Sequence, residues 1–236
     1  TAKIENALSV PLKSIDFGTV FPQEHLDKPL SIALSQSFLD ERRVDDVEYI
    51  IRQKPKCGVT TDKGTVLVGP TATGHVSVDA SGAVVIDCGP DPRELDTSGN
   101  PLPVGSSWGV LPSLCEYISK EGPDTNDGDL ASFHKPYNVS GTDVIWNDVH
   151  GRLAKSDTDT EDTLPGDTVD TWTIDLAVPC FGGYCAQDWA DFVHGINPDA
   201  GDPAQYTQDI DNEHKVFGCD LWVEVTGVSE FAQPEE

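Results

Sequence analysis

Apolar and polar residues alternate along several short stretches of the chain, which is the period of a half-buried β-strand. The clearest stretches are TWTIDLAVPC, which begins at Thr171, and FGCDLWVEV, which begins at Phe217. In the second stretch Leu221, Val223 and Val225 fall on one side and Trp222 on the other. The remaining alternating sets are Ile15 and Phe17; Leu30, Ile32 and Leu34; Val47, Tyr49 and Ile51; Val76 and Val78; and Val84 and Ile86. The pattern predicts strands with one face toward a core.

Helical periodicity is scarce by comparison. AQDWADFVHG places Trp189, Phe192 and Val193 on one face and offers Gly195 as the residue after the last turn, which predicts one short helix. Clusters of Gly, Pro, Asp and Asn separate the alternating stretches and predict long loops. The expected fold is all-β, an antiparallel β-sandwich of the jelly-roll or immunoglobulin-like kind. We expect one sandwich domain over residues 12–236, with inserted loops over about 59–138.

The first ten residues, TAKIENALSV, also alternate, and Pro11 ends them. Ile4, Leu8 and Val10 lie on the apolar side of this predicted strand. No strand precedes it in the sequence, so it pairs either with a distant strand of its own fold or with another molecule. The alternation leaves both possibilities open.

The charge balance narrows the range of partners. The 236 residues include 15 basic and 41 acidic side chains, a formal net charge of −26. Nucleic acids and anionic membrane surfaces are therefore poor partners, and cations are good ones. No apolar run approaches the roughly 18 residues that a membrane span requires.

Six cysteines are scattered along the chain without zinc-finger spacing, and they predict three disulfides and an oxidising compartment. Only Cys180 and Cys185 lie close enough in sequence to suggest a pair, and the partners of the others stay open. They are Cys57, Cys88, Cys115 and Cys219. The chain begins at Thr1 and contains no methionine, which suggests a mature product without its targeting segment. We expect a secreted protein.

Acidic loops are the candidate metal sites. DTNDGD supplies hard oxygen ligands around a glycine turn, and we select Asp124, Asn126 and Asp129 as calcium ligands. The spacing misses the EF-hand register, and a solvated acidic loop is the alternative. SDTDTED and QDIDNE, which begin at Ser156 and Gln208, are two further candidates. No cofactor is expected to be required, with Ca²⁺ as the one candidate.

Motifs for catalysis are weak. GSSWG places Ser107 in a G-x-S-x-G pattern, but its flanks lack the strand and helix of a nucleophile elbow. The six histidines form no H-E-x-x-H motif, and we interpret them as solvated loop residues. We therefore expect no enzymatic activity. Asn138 begins the sequon Asn-Val-Ser and is a candidate glycosylation site on a surface loop.

Four segments of the chain form a recognisable arrangement: ENALSV and DFGTVFP near the start, KPLSIALSQSF after them, and GCDLWVEVTG near the end. Together they resemble the TasA/camelysin-like family of secreted filament subunits. The resemblance implies a β-sandwich that forms an extracellular biofilm fibre, each subunit completing its neighbour's sheet with its first strand. It also implies that Ile4, Leu8 and Val10 are the donor positions. The middle of the chain, from about Val59 to Asn138, departs from the family pattern, and no zinc motif carries over the peptidase activity ascribed to camelysin.

Two other functions compete with a self-assembling fibre. One is a cell-surface binding module for matrix carbohydrate or protein, with Trp108, Trp146 or Trp222 as exposed contacts. The other is a calcium-dependent hydrolase whose site the motifs above do not reveal.

Overall fold

The computed structural model describes residues 4–60, 66–89, 96, 99–125, 127–155 and 166–230. Twelve strands and two α-helices lie within these ranges. The strands are β1 (Leu8–Ser9), β2 (His25–Leu34), β3 (Val44–Thr60), β4 (Val66–Thr73), β5 (His75–Val78), β6 (Val84–Asp87), β7 (Ser107–Val110), β8 (Tyr137–Ser140), β9 (Asp143–Trp146), β10 (Val149–Ala154), β11 (Val169–Ala177) and β12 (Cys219–Glu230). The helices are α1 (Gln36–Asp40) and α2 (Trp189–Ile196).

Two antiparallel sheets form the body of the protein, which confirms the all-β sandwich. One sheet has the order β1-β2-β11. The other runs β10-β3-β12, and the far part of the long strand β3 also pairs with β4 and β7. Two hairpins, β5–β6 and β8–β9, complete the strand set in the described ranges.

The core lies between the sheets and is built from the alternating positions of the sequence. Nine buried side chains, three from each of β2, β3 and β11, form its centre. They are Leu30, Ile32, Leu34, Val47, Tyr49, Ile51, Trp172, Ile174 and Leu176. Burying such side chains contributes about 1.5–3 kcal/mol each, so the predicted inward faces are the main source of stability. Val225 was predicted inward but is exposed, because a bulge interrupts β12 directly after it.

Helix α2 closes one end of the core. Its Trp189 and Phe192 pack with Tyr117 and Tyr206 around the fully buried ring of Phe133. The predicted helix is confirmed, but the prediction that it ends at Gly195 is wrong.

The end of α2 is set by Asn197. Its backbone N–H donates to Val193 O and its side chain donates to Phe133 O at 3.1 Å, so the helix continues to Ile196.

Three local features differ from the sequence-based expectation. Helix α1 was not predicted, because its five residues are too short to show a helical period, and it is capped by the Ser35 hydroxyl. Ile15 and Phe17 lie in an extended segment outside any strand. Residues 59–138, expected to be inserted loops, contain all of β4, β5, β6 and β7.

The six cysteines form three disulfides, as predicted. Cys180 pairs with Cys185, and the other bonds join Cys57 to Cys88 and Cys115 to Cys219. No helix in the described ranges is long and apolar enough to cross a membrane.

A buried polar cluster lies beside β3. Lys120 is fully buried, and its ammonium donates to Gln53 Oε1 at 3.1 Å and to Ile51 O at 3.4 Å. The buried His134 ring lies 2.6 Å from the same Gln53 oxygen, so its interpretation as a solvated loop residue is wrong. Burial lowers the pKa of Lys120 to about 7 and, with the charge of Lys120, that of His134 to about 4.

We predict that Lys120→Met changes the pH dependence of stability. Between pH 7 and the ordinary lysine pKa of 10.5, the unfolded chain binds a proton that the folded protein releases, so this lysine makes stability rise with pH. The advantage of Lys120→Met over the wild type should therefore shrink by up to about 1.4 kcal/mol per pH unit as pH rises above 7. Urea denaturation at pH 7, 8 and 9 measures it.

The exposed Lys28 on β2 provides the control, Lys28→Met, for loss of a lysine charge as such. A wild-type-to-Lys120→Met difference that stays constant over this pH range would contradict a neutralised Lys120.

Candidate strand-acceptor groove

The two sheets present open edges on the same groove. Strand β2 pairs with β11 along its length. On its other side, among the residues that the structure describes, only Leu34 and Ala33 are paired, with Leu8 and Ser9 of β1. Strand β12 pairs with β3 and, within the described part of the chain, with no strand on its other side. Unpaired strand edges carry backbone donors and acceptors that can bind another strand.

A groove of about 430 Å³ lies between these edges. Its apolar wall is formed by core-facing side chains of both sheets and by two side chains of the segment between β7 and β8. They are Leu30, Ile174, Ile118, Leu114, Leu221 and Val223. The groove is therefore a gap in the sandwich core that reaches the surface, and apolar side chains that enter it are removed from water.

Residues 10–17 of the chain itself lie along this groove. Val10, Ile15 and Phe17 pack their side chains against the core, whereas Leu12 is exposed. In the described structure no backbone hydrogen bond joins this segment to β2 or β12. The segment thus covers apolar surface without completing either sheet.

The strand preceding this segment is short and is held by Ser35 in addition to its pairing with Leu34 and Ala33. Ser35 N–H donates to Ala7 O at 2.8 Å, and the Ser35 hydroxyl donates to Asn6 O at 2.6 Å. The same hydroxyl accepts the N–H of Phe38 and caps α1. One serine therefore fixes both the first strand and the helix that follows β2.

The three predicted donor positions are placed differently from one another. Leu8 and Val10 are partly buried against the core, but Ile4 is 94% exposed and lies outside β1. The two-residue strand pairs with its own chain, which is one of the two possibilities that the sequence left open. Donation to a neighbouring molecule stays a prediction.

The rim of the groove is fixed by an ion pair. Asp220 of β12 lies 2.9 Å from Lys56 Nζ and accepts a 2.7 Å hydrogen bond from the hydroxyl of Thr73. These contacts tie the start of β12 to β3 and β4, so the open edge is held in an extended conformation.

Of the three candidate aromatic contacts, Trp222 lies at the groove, whereas Trp108 and Trp146 do not line it. Trp222 points outward, as predicted, and is 43% exposed, with Lys54 Nζ 4.0 Å from its ring centroid. Trp146 is half-buried and packs against Tyr137 and Arg52, and Trp108 is half-buried in β7. Partial burial, with the charge of Arg52, lowers the pKa of Lys54.

The predicted calcium ligands are separated. Asp129 accepts the N–H of Gly122 at 2.9 Å, whereas Asp124 lies with Asp167 and Asp170. Asn126 and residues 156–165, which include the SDTDTED acidic residues, lie outside the described residues. The sequence analysis missed Asp167 and Asp170, although Asp170 shows one usable signal. It is a carboxylate on the side of β11 that also carries Trp172, the side that faces the core.

The remaining predicted positions are on the surface or carry no supporting geometry. Asn138 is exposed on β8, as a glycosylated side chain must be. Ser107 begins β7 and is followed by strand, so the nucleophile-elbow geometry is absent at this serine. Asp209 caps a 3₁₀ turn by accepting the N–H of Asp211. None of these side chains lines the groove.

Comparison of the chain with protein-family models, with curated proteins and with solved structures finds no match.

We predict that Ser35→Ala loosens the first strand while the sandwich stays folded. The change removes the hydrogen bond to Asn6 O and the cap of α1, and loss of a serine cap costs about 0.5–2 kcal/mol. Hydrogen exchange and limited proteolysis of the first ten residues should both become faster.

Ser31→Ala is the matched control, because Ser31 is a half-buried serine of β2 whose hydroxyl lies 3.4 Å from Thr171 Oγ1. Equal protection of the first ten residues in both variants would show that Ser35 does not hold them.

Proposed function

We propose that the protein is the structural subunit of an extracellular fibre, in which residues 1–10 of one copy add as a strand to the groove of the next. The observation that carries this proposal is the apolar groove between two unpaired strand edges. A strand added there completes a sheet with backbone hydrogen bonds and fills the groove with alternate side chains. The resemblance of ENALSV, DFGTVFP and GCDLWVEVTG to segments of secreted filament subunits supports the same function.

The first half of β12 is the part of the edge best suited to accept a strand. It pairs regularly with β3 from Cys219 to Val225, whereas register shifts interrupt the pairing after Val225 and again after Val228. Bulges twist an edge away from further pairing. Cys219–Val225 is regular, and its first five residues line the groove.

Residues 1–10 are suited to be the added strand. Ile4, Leu8 and Val10 share one face of an extended segment, and the structure leaves Ile4 almost wholly in water. Burying Ile4 contributes about 1.5–3 kcal/mol before the cost of ordering the strand. Leu8 and Val10 are already partly buried against their own core, so donation exchanges one apolar environment for another. Among the described residues of the segment, Leu8 and Ser9 pair with β2, and Asn6 and Ala7 accept hydrogen bonds from Ser35. Donation requires that these contacts break.

The assembly follows from the geometry of this contact. The donated strand and the accepting groove are different surfaces, so the contact does not close on itself and generates a filament. Subunits of charge −26 repel one another, and salt that screens exposed charges within about 10 Å at 0.1 M assists assembly. The three disulfides are typical of proteins in oxidising compartments, which supports secretion.

A surface-binding module is the second candidate, and the outer face of the β3–β12 pair favours it. Trp222 and Trp146 lie on either side of Arg52 on this face. Lys54 already covers one ring, however, which leaves less aromatic surface for a sugar. This module would stay monomeric.

We predict that deletion of residues 1–10 yields a folded monomer whose groove receives no donated strand. Added TAKIENALSV peptide should bind to it, and peptides carrying Ile4→Asp or Leu8→Asp should bind at least tenfold more weakly, because a carboxylate would be buried in the groove. Negative-stain microscopy of the full chain and fluorescence titration of the truncated chain measure the two parts. Normal polymerisation of the truncated protein would rule out strand donation.

A second prediction tests the acceptor side. Leu221→Asp places a charge in the groove and should abolish fibres, whereas Val225→Asp, on the same strand but at an exposed position, should leave them intact. Circular dichroism checks that both variants are folded. Fibres from a folded Leu221→Asp protein would exclude this groove as the acceptor.

A further inference from the structure

Three carboxylates from two distant parts of the chain meet at the start of β11. Asp124, Asp167 and Asp170 each offer one oxygen, and these oxygens lie within 4.8 Å of one another. Asp127 comes from the same loop as Asp124, and its Oδ1 accepts the backbone N–H of Arg152 at 3.3 Å. The cluster uses none of the residues that line the groove.

Asp170 is the member that distinguishes this cluster from a solvated acidic loop. Its residue exposure is 0%, and its Oδ2 accepts the hydroxyl hydrogen of Tyr49. Its Oδ1 is buried without a hydrogen-bond partner in the described structure, as are Oδ2 of Asp127 and Oδ2 of Asp167. Burying a charged oxygen without a hydrogen-bond partner raises the free energy of the folded state. A ligand bound to these three oxygens offsets that cost.

The Asp170 carboxylate is also held in place from behind. Trp172 Nε1 donates to the Tyr49 oxygen at 2.7 Å, and Tyr49 in turn donates to Asp170. The Tyr49 ring lies directly on Gly151, where a Cβ atom would overlap it. Glycine at this position is therefore required for the tyrosine to reach the carboxylate.

The electrostatics of the cluster agree with this geometry. Burial, together with the charges of Asp127 and Asp167, raises the pKa of Asp170 to about 8, and burial raises the pKa of Asp127 to about 6. The side chain of Arg152 is paired with Asp46 at 3.0 Å. A bound divalent cation places positive charge next to these carboxylates and favours the ionised forms of Asp170 and Asp127.

We propose that Asp124, Asp167 and Asp170, with Asp127 beside them, form a calcium site. The ligand atoms are all carboxylate oxygens, the donors that hard cations prefer. Ca²⁺ takes six to eight oxygen ligands in flexible geometry, which suits an irregular loop better than the strict octahedron of Mg²⁺ does. Water and loop carbonyls complete the shell.

The bound ion joins two segments that are far apart in the sequence. Gly128 N–H donates to His150 O of β10 at 2.8 Å, and Asp127 accepts the backbone N–H of Arg152, so the side of the cluster that carries Asp124 is also linked to β10. Calcium adds a link from this loop to Asp167 and to the first residues of β11. The ion thus stabilises the folded subunit, and this role does not depend on whether the subunit polymerises.

Calorimetric titration of the chelator-treated full chain with CaCl₂ tests the site. We expect one calcium ion per chain and a rise in Tm with calcium, since a ligand that binds only the folded state stabilises it. Asp170→Asn keeps the shape of the side chain but removes its charge, and it should weaken calcium binding at least tenfold and abolish the rise in Tm. MgCl₂ should bind more weakly than CaCl₂ in the same titration.

Asp129→Asn is the matched control, because Asp129 lies in the same loop but outside the cluster, and its calcium affinity should equal that of the wild type. If Asp170→Asn does not fold, Asp124→Asn at the exposed rim tests the same site and should also lose at least tenfold in affinity. A wild-type Tm that is the same in chelator and in millimolar calcium, or cluster variants that bind like the wild type, would overturn the proposal.

Discussion

The contact between Tyr49 and Trp172 links the two sheets at their centre. Their rings meet edge to face at 6.3 Å between centroids, and the indole N–H donates to the tyrosine hydroxyl. Because both side chains are fully buried, their polar atoms must find partners inside the protein. The hydrogen bonds from Trp172 to Tyr49 and from Tyr49 to Asp170 meet this need. They leave the other oxygen of the Asp170 carboxylate without a partner in the described structure. The acidic cluster is thus a consequence of how the core satisfies its own polar groups.

Strand β3 organises the rest of the fold. Its 17 residues pair with β10 and β12 in one part and with β4 and β7 in another, so four strands take their register from one. The strands of the β1-β2-β11 sheet are shorter than β3. This difference in length leaves the edges of β2 and β12 exposed on the same side of the sandwich. Residues 10–17 cover this gap with side chains alone. The largely unpaired edges of β2 and β12 in the described structure therefore result from the lengths of the two sheets, and not only from the shortness of β1.

Periodicity predicted the strands well where each has one inward face, as in Leu30–Leu34 and Trp172–Leu176, since burial acts residue by residue along the chain. It failed for α1 and for Ile15 and Phe17, where the conformation depends on contacts with distant segments. The candidate groove could be predicted only in part. The apolar face of the first strand was visible in the sequence, but an open edge is a property of pairing between strands far apart. The same limit applies to Asp167 and Asp170, which meet Asp124 only through the sheet topology.

The disulfide between Cys115 and Cys219 has a mechanical consequence. Pulling the chain from its two ends applies tension across this bond, and the loop that it closes bears no load. The bond spans a sequence separation of 104 residues, so it withholds roughly 340–370 Å of contour length, at 3.3–3.6 Å per residue, from extension. Strands β8 to β11 and helix α2 lie within that loop and stay shielded from the applied force, whereas β1 to β7 lie outside it. Under load, extension of the protein is therefore confined to the segments outside this loop.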